Sequence, residues 1–143
     1  MDRSRVLFLC TGNSCRSQMA EGWARHIHAH VLQAYSAGVV KQGVDSRAVR
    51  VMSEAGVDIS GQHSKTMDEL PVGEFHAVIT LCDQARENCP FFPVATKRLH
   101  RAFDDPAALA PGFSDEESAL QVYRRVRNEI GDFISNLPHV LED

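Results

Sequence analysis

Nowhere does this chain carry a run approaching the roughly 18 consecutive apolar residues that cross a bilayer. The apolar run after Arg3 and Arg5, residues 6–10, is shorter than the roughly 7–15 residues of a signal-peptide core. These two absences make a cytoplasmic protein the expectation. A basic surplus is also missing: 15 Lys and Arg stand against 19 Asp and Glu, a formal charge of −4. That balance argues against nucleic acid as a partner, so an anion bound here must be attracted by local geometry. No Gly-Lys-Ser or Gly-Lys-Thr occurs, which excludes a nucleotide P-loop. No Cys-x-x-Cys pair and no His pair at standard zinc spacing is found, so no metal is expected. Repeats, low-complexity tracts and Pro/Gly/Ser linkers are lacking too, and residues 1–143 are expected to form a single domain.

What is present is an ordinary globular composition, 43% hydrophobic and 24% charged. A chain of this length buries roughly 70% of its extended surface and needs no disulfide staples. The pattern predicts strands over 6–10, 31–36, 76–82 and 98–100. Helices are expected over 17–31, 46–55 with Gly56 as its C-cap, and 116–137, with a short one over 66–70. Residues 83–89 read as a loose helix halted by Pro90. Four strands alternating with helices predict a parallel sheet covered on both faces, a three-layer α/β/α architecture. Sites in such sheets gather beyond the C-terminal strand ends, where Cys10, Cys82 and Asp105 fall.

The first strand delivers Cys10 to a loop of Thr11, Gly12, Asn13, Ser14 and Cys15 that closes on Arg16 and Ser17. Successive N–H groups of such a loop can form a nest for a tetrahedral oxyanion, reinforced by the start of the following helix. Gly12 and Asn13 tolerate the left-handed backbone that the curl requires. Arg16 offers a planar fork to two anion oxygens, and Ser17 a hydroxyl to the Cys10 sulfur. Each feature favours the thiolate over the thiol. A lone Cys ending an apolar strand is usually inert; the full pattern of Cys, five residues and Arg between strand and helix points to a nucleophile.

Cys82 and Cys89 lie seven positions apart, about 10 Å along a regular helix and too far for a disulfide. If they bond, the polar segment between them must bend or unwind. Asp105 precedes Pro106 and is held in a turn, where a carboxyl group could protonate a leaving oxygen. Taken alone it reads as an ordinary turn aspartate. Cys15 fits a small buried filler and a redox thiol equally. His26, His28 and His30 read as a solvated helix face rather than a metal site, and Met19 and Trp23 as core.

Residues 10–21, CTGNSCRSQMAE, resemble the opening of the thioredoxin-coupled arsenate reductases, which share the low-molecular-weight protein tyrosine phosphatase fold, a flavodoxin-like or Rossmann-like arrangement. The likeness extends to Tyr35-Ser36-Ala37-Gly38, to residues 78–90 with Cys82 and Cys89, and to Phe103-Asp104-Asp105-Pro106-Ala107. The resemblance implies that Cys10 attacks arsenate held by residues 10–17 while Asp105 protonates the departing oxygen. It implies that Cys82 then attacks the adduct, releasing arsenite, and that Cys89 takes over the disulfide for thioredoxin to reduce. No bound cofactor is implied. Independently of the family, reducing As(V) to As(III) takes two electrons, which two thiols supply on becoming one disulfide.

Two departures from the phosphatases, Gln18 in place of proline and Ala107 in place of tyrosine, favour the reductase, because an aryl phosphate wants an aromatic wall. Lys65 stands where some reductases place an acidic ligand for potassium near Asn13, Glu21 and Ser36, so its ammonium is expected to substitute for the cation. The alternatives are a phosphatase that needs only Cys10, Arg16 and Asp105, and a redox or anion sensor signalling through Cys82 and Cys89. Glutaredoxin with glutathione, or another small thiol, competes with thioredoxin as reductant. A monomer suffices for every one of these readings.

Overall fold

Five consecutive residues, Val6 to Cys10, are all buried, the mark of a strand covered on both faces. The structure, a computed structural model, describes residues 3–87, 89 and 96–137. Strand β1 (Ser4–Cys10) is followed by α1 (Arg16–Ile27), β2 (Leu32–Gly38), α2 (Ser46–Glu54), a 3-10 turn (Met67–Glu69) and β3 (Ala77–Thr80). Then come α3 (Asp83–Glu87), β4 (Lys97–His100), α4 (Pro106–Leu109), a second 3-10 turn (Ala110–Gly112) and α5 (Glu116–Ser135). All four strands are parallel, in the order β2-β1-β3-β4.

Side-chain alternation along β1 divides the core in two. Val6 and Phe8 join Met19, Ala20 and Ala24 of α1, Val51 and Met52 of α2, and Leu120, Tyr123, Val126, Ile130 and Ile134 of α5. Leu7 and Leu9 face the other way, toward Phe75, Val78, Cys82 and Ala85. Three helices therefore cover one face, while the other is covered by the segment around Met67, Leu70 and Val72 and by the five-residue α3. The expected three-layer parallel architecture is observed, with the heavier layer on the α1/α2/α5 side.

Several boundaries differ from the sequence reading. Helix α1 stops at Ile27 rather than running to 31, because the His28 N–H closes the last turn on Ala24 O and the His28 carbonyl then accepts from Val31 and Leu32. Ile27 and Val31 are exposed, so the apolar stripe does not continue. His30 consequently lies outside the helix and cannot pair with His26 one turn away. His28 is not solvated but half-buried, its Nε2 2.7 Å from Ile134 O. Trp23 is only partly buried and donates to Arg127 O, while Met19 is fully buried.

Strand β2 is longer than expected because every residue from Leu32 to Gly38 pairs with β1; β3 is shorter, ending at Thr80. The C-cap expected at Gly56 falls one residue earlier, on Ala55, and Gly56 follows it with the left-handed φ of +83. In place of the short helix expected over 66–70 there is a 3-10 turn over Met67–Glu69. Helix α5 ends at Ser135, capped by Asn136. The stop expected at Pro90 lies outside the described residues.

Candidate active site

The loop after β1 is held from outside by its carbonyls. Those of Cys10, Thr11, Gly12 and Ser14 accept backbone N–H groups from Val39, Val40, Gln42 and Asp45, and that of Asn13 accepts the Gln18 side-chain amide. With the carbonyls engaged outward, the N–H groups are available to converge on an anion. Asn13 carries φ +48, the one positive φ on a non-glycine residue among those described. The left-handed bend expected of Gly12 and Asn13 thus falls on Asn13 alone. A Cβ at Gly12 would lie 2.1 Å from Oε1 of Gln42, an exposed side chain that can move aside. Gly38 is the stricter position, because a Cβ there would meet backbone atoms, Val40 O at 2.4 Å and Asn13 N at 2.6 Å.

A directed chain of hydrogen bonds ends on the Cys10 sulfur. The Lys65 backbone N–H donates to Asn13 Oδ1 at 2.9 Å, which fixes the orientation of the Asn13 amide. Asn13 Nδ2 then donates to Ser17 Oγ at 2.8 Å. Ser17 Oγ lies 2.8 Å from Cys10 Sγ; a Cys10 thiolate can only accept, so toward that form of the sulfur the Ser17 hydroxyl is the donor. Cys10 itself is buried.

Arg16, also buried, links the loop to Asp105. Its Nη1 donates to Phe103 O at 3.1 Å, and its Nη2 lies 3.6 Å from Asp105 Oδ2. Asp105 is the N-cap of α4, its Oδ1 accepting the Ala107 N–H. Pro106 at the first helical position is preorganised for that turn. The carboxyl group is therefore held over the loop by the guanidinium on one oxygen and by the helix start on the other.

Thr11 ties the second thiol to the same loop. Its Oγ1 is 3.3 Å from Cys82 Sγ and donates to Gln84 Oε1 at 3.2 Å, while the Ala85 N–H approaches Cys82 Sγ at 3.4 Å. The hydroxyl has one proton: a Cys82 thiol can donate to Thr11, whereas a thiolate needs the Thr11 proton turned toward it. Cys82 and Cys10 share one packed cluster, against which Cys89 rests half-buried. Burial raises the Cys89 thiol above its ordinary range.

Cys15 departs from this group. It belongs to the opposite core with α1 and α5, and burial, with Asp45, Asp105 and Cys10 adding to it, pushes its thiol well above the usual value. Of its two readings, the buried filler fits the structure. Lys65 Nζ lies 3.7 Å from Glu21 Oε1, which also accepts the Ser36 hydroxyl at 2.7 Å. Burial lowers the Lys65 ammonium below its ordinary value, and Glu21 opposes that shift. Among the described residues no group of three or more His, Cys, Asp or Glu side chains could hold a metal.

The low molecular weight phosphotyrosine protein phosphatase model matches residues 5–139. The chain belongs to this family. Within the family it is similar to the arsenate reductase of Halalkalibacterium halodurans, 47% identical over 92% of each chain. It is likewise similar to the arsenate reductase of Bacillus subtilis, 46% identical over 92% of this chain and 93% of that one. Among solved structures of the fold, an arsenate reductase in the phosphate binding state superposes with a TM-score of 0.76 at 30% identity, covering 96% of this chain and 98% of that one.

Sequence reasoning missed the supports behind this family's loop. Gln18 appeared only as a replacement for proline; its Nε2 in fact contacts Asn13 O, Asn13 Oδ1 and His63 O, and its Oε1 accepts from Gln62. Asp45 donates its N–H to Ser14 O and receives the Tyr123 hydroxyl at 2.6 Å, tying the loop to α5. The local signal for Asp45 was its position before Ser46, an N-cap pattern. Nothing local marked Gln18 or Tyr123.

Proposed function

We propose that this chain reduces arsenate to arsenite through Cys10, Cys82 and Cys89, with thioredoxin supplying the electrons. The observation that carries the reading is the Thr11 hydroxyl, which joins Cys82 to the loop that begins at Cys10. The Cys10 thiolate attacks As(V) while the oxyanion rests on residues 11–17 and Arg16, and Asp105 gives its proton to the departing oxygen. Cys82 next attacks the Cys10 sulfur; the sulfur–arsenic electron pair stays on arsenic, arsenite leaves, and a Cys10–Cys82 disulfide forms. Cys89 then attacks Cys82 and frees Cys10. The likeness to arsenate reductases supports this order of chemistry.

The test is a coupled assay with arsenate, thioredoxin, its reductase and NADPH, run beside glutathione with glutaredoxin. Cys82→Ser and Cys89→Ser are expected to abolish multiple turnover while leaving hydrolysis of p-nitrophenyl phosphate nearly intact. Catalytic arsenate reduction by both variants would reject the relay. The second reading, a phosphatase, is favoured by the Cys10, Arg16 and Asp105 geometry alone, and the same ester assay measures it.

Residues 1–143 act in this reading as one domain and one monomer in the reducing cytoplasm. No described helix is long and apolar enough to cross a membrane. Lys65 serves as the built-in cation beside Glu21. Rates are therefore expected to be equal in sodium and potassium salts, and strong stimulation by potassium would overturn that assignment.

A further inference from the structure

Helix α3 begins immediately after Cys82, and in the relay above it must open. Helix α3 fills residues 83–87 of the stretch between Cys82 and Cys89; a regular helix sets residues seven apart at about 10 Å along its axis, whereas disulfide-bonded Cα atoms lie about 4.4–6.8 Å apart. The attack of Cys89 on Cys82 therefore waits on the unwinding of this five-residue segment. Ala85 is its buried side chain among the described residues, and Thr11 holds Gln84 and Cys82 from the loop side.

A third hold comes from the opposite direction. His100, the last residue of β4, places Nδ1 2.7 Å from the hydroxyl of Thr80 and Nε2 3.0 Å from Asp83 Oδ1. Thr80 is the buried last residue of β3; Asp83 is the exposed first residue of α3. The imidazole thus spans from the C-terminal end of the sheet to the residue next to the second thiol. Both protonation states satisfy the bridge. A neutral ring accepts from Thr80 and donates to Asp83; a charged ring donates to both, while Thr80 turns its proton to Leu99 O, 3.4 Å away. Arg86 approaches the same Asp83 oxygen at 3.9 Å but belongs to α3 and moves with it.

We infer that His100 is a positioning residue of the thiol relay, pinning the first turn of α3 to the sheet and so setting how readily Cys82 reaches Cys89. This rests on the relay reading. The step it governs exchanges one disulfide for another: the Cys89 thiolate bonds to Cys82, the Cys82–Cys10 bond breaks, and Cys10 leaves as thiolate with no net oxidation. Because the pin is made with α3 helical, it stabilises the dithiol form over the Cys82–Cys89 disulfide.

The decisive measurement is the equilibrium of the Cys82–Cys89 pair against thioredoxin in the full-length protein, by thiol trapping and mass mapping, for wild type, His100→Asn, Asp83→Ala and the double variant. Each single change is expected to favour the disulfide about two- to fivefold. Fivefold corresponds to about 20 mV, from 29.6 mV per tenfold change in a two-electron couple. The double variant should match the singles rather than their product, because one contact is lost either way. Hydrolysis of p-nitrophenyl phosphate, which does not require α3 to open, should keep its kcat and KM in His100→Asn. If the wild type forms the disulfide but neither single variant moves the equilibrium, or their effects multiply, the pin is overturned alone. If the wild type forms no Cys82–Cys89 disulfide after arsenate, the relay falls and the pin with it.

Discussion

Ser17 meets two demands at once, accepting from Asn13 and lying 2.8 Å from Cys10 Sγ, to which its hydroxyl donates when the sulfur is a thiolate. A hydrogen bond to a charged group contributes roughly 1.5–3 kcal/mol, which is about a ten- to hundredfold effect on a step that uses the charge. Ser17→Ala is accordingly expected to slow both arsenate reduction and alkylation of Cys10 by iodoacetamide at neutral pH by roughly ten- to hundredfold. Undiminished alkylation would show that the hydroxyl does not serve the sulfur. Cys10, Arg16 and Ser17 were legible because their spacing is local, six and seven positions along one loop. The donor behind Ser17 was not, since the orientation of Asn13 depends on Lys65, 52 positions away.

At the scale of elements, the end of β2 limits the loop as strictly as the loop's own residues do. Gly38 pairs with Cys10, and its α-carbon faces the backbone of Gly12, Asn13 and Val40 with no room for a methyl group. Backbone atoms cannot swing aside as a side chain can. Gly38→Ala is expected to cost about 1–3 kcal/mol in urea unfolding and to weaken phosphate binding, because the loop must shift outward. Unchanged stability and unchanged phosphate affinity would mean that the strand end yields freely.

The strongly periodic elements, α2 and α5, could be read from sequence within a few residues, since their apolar faces repeat over several turns. Helix α4 escaped notice at four residues, too short for any period to emerge. The end of α1 was misjudged because alternating His and apolar residues prolong a helical pattern that tertiary pairing of β2 cuts short.

Taken whole, the molecule is lopsided about its sheet, with α1, α2 and α5 packed on one face and a thin cover on the other. The parallel order and the gathering of thiols at the strand ends were visible in the alternation of elements. The inequality of the two layers was not, because it depends on how a region of little periodicity, residues 65–75, lies over Leu7 and Leu9. This asymmetry bears on when different amides meet solvent. The central strand β1 is paired on both sides, while α3 is one short helix with a single buried side chain, Ala85. In deuterated buffer, amides of Phe8 and Leu9 are expected to exchange only on global unfolding, and those of the last turn of α3 at least a hundredfold faster. Comparable protection of the two would contradict it. The sulfur that first meets the oxyanion then belongs to the part of the fold that loosens last, and the sulfur that carries oxidation away from it borders the part that loosens first.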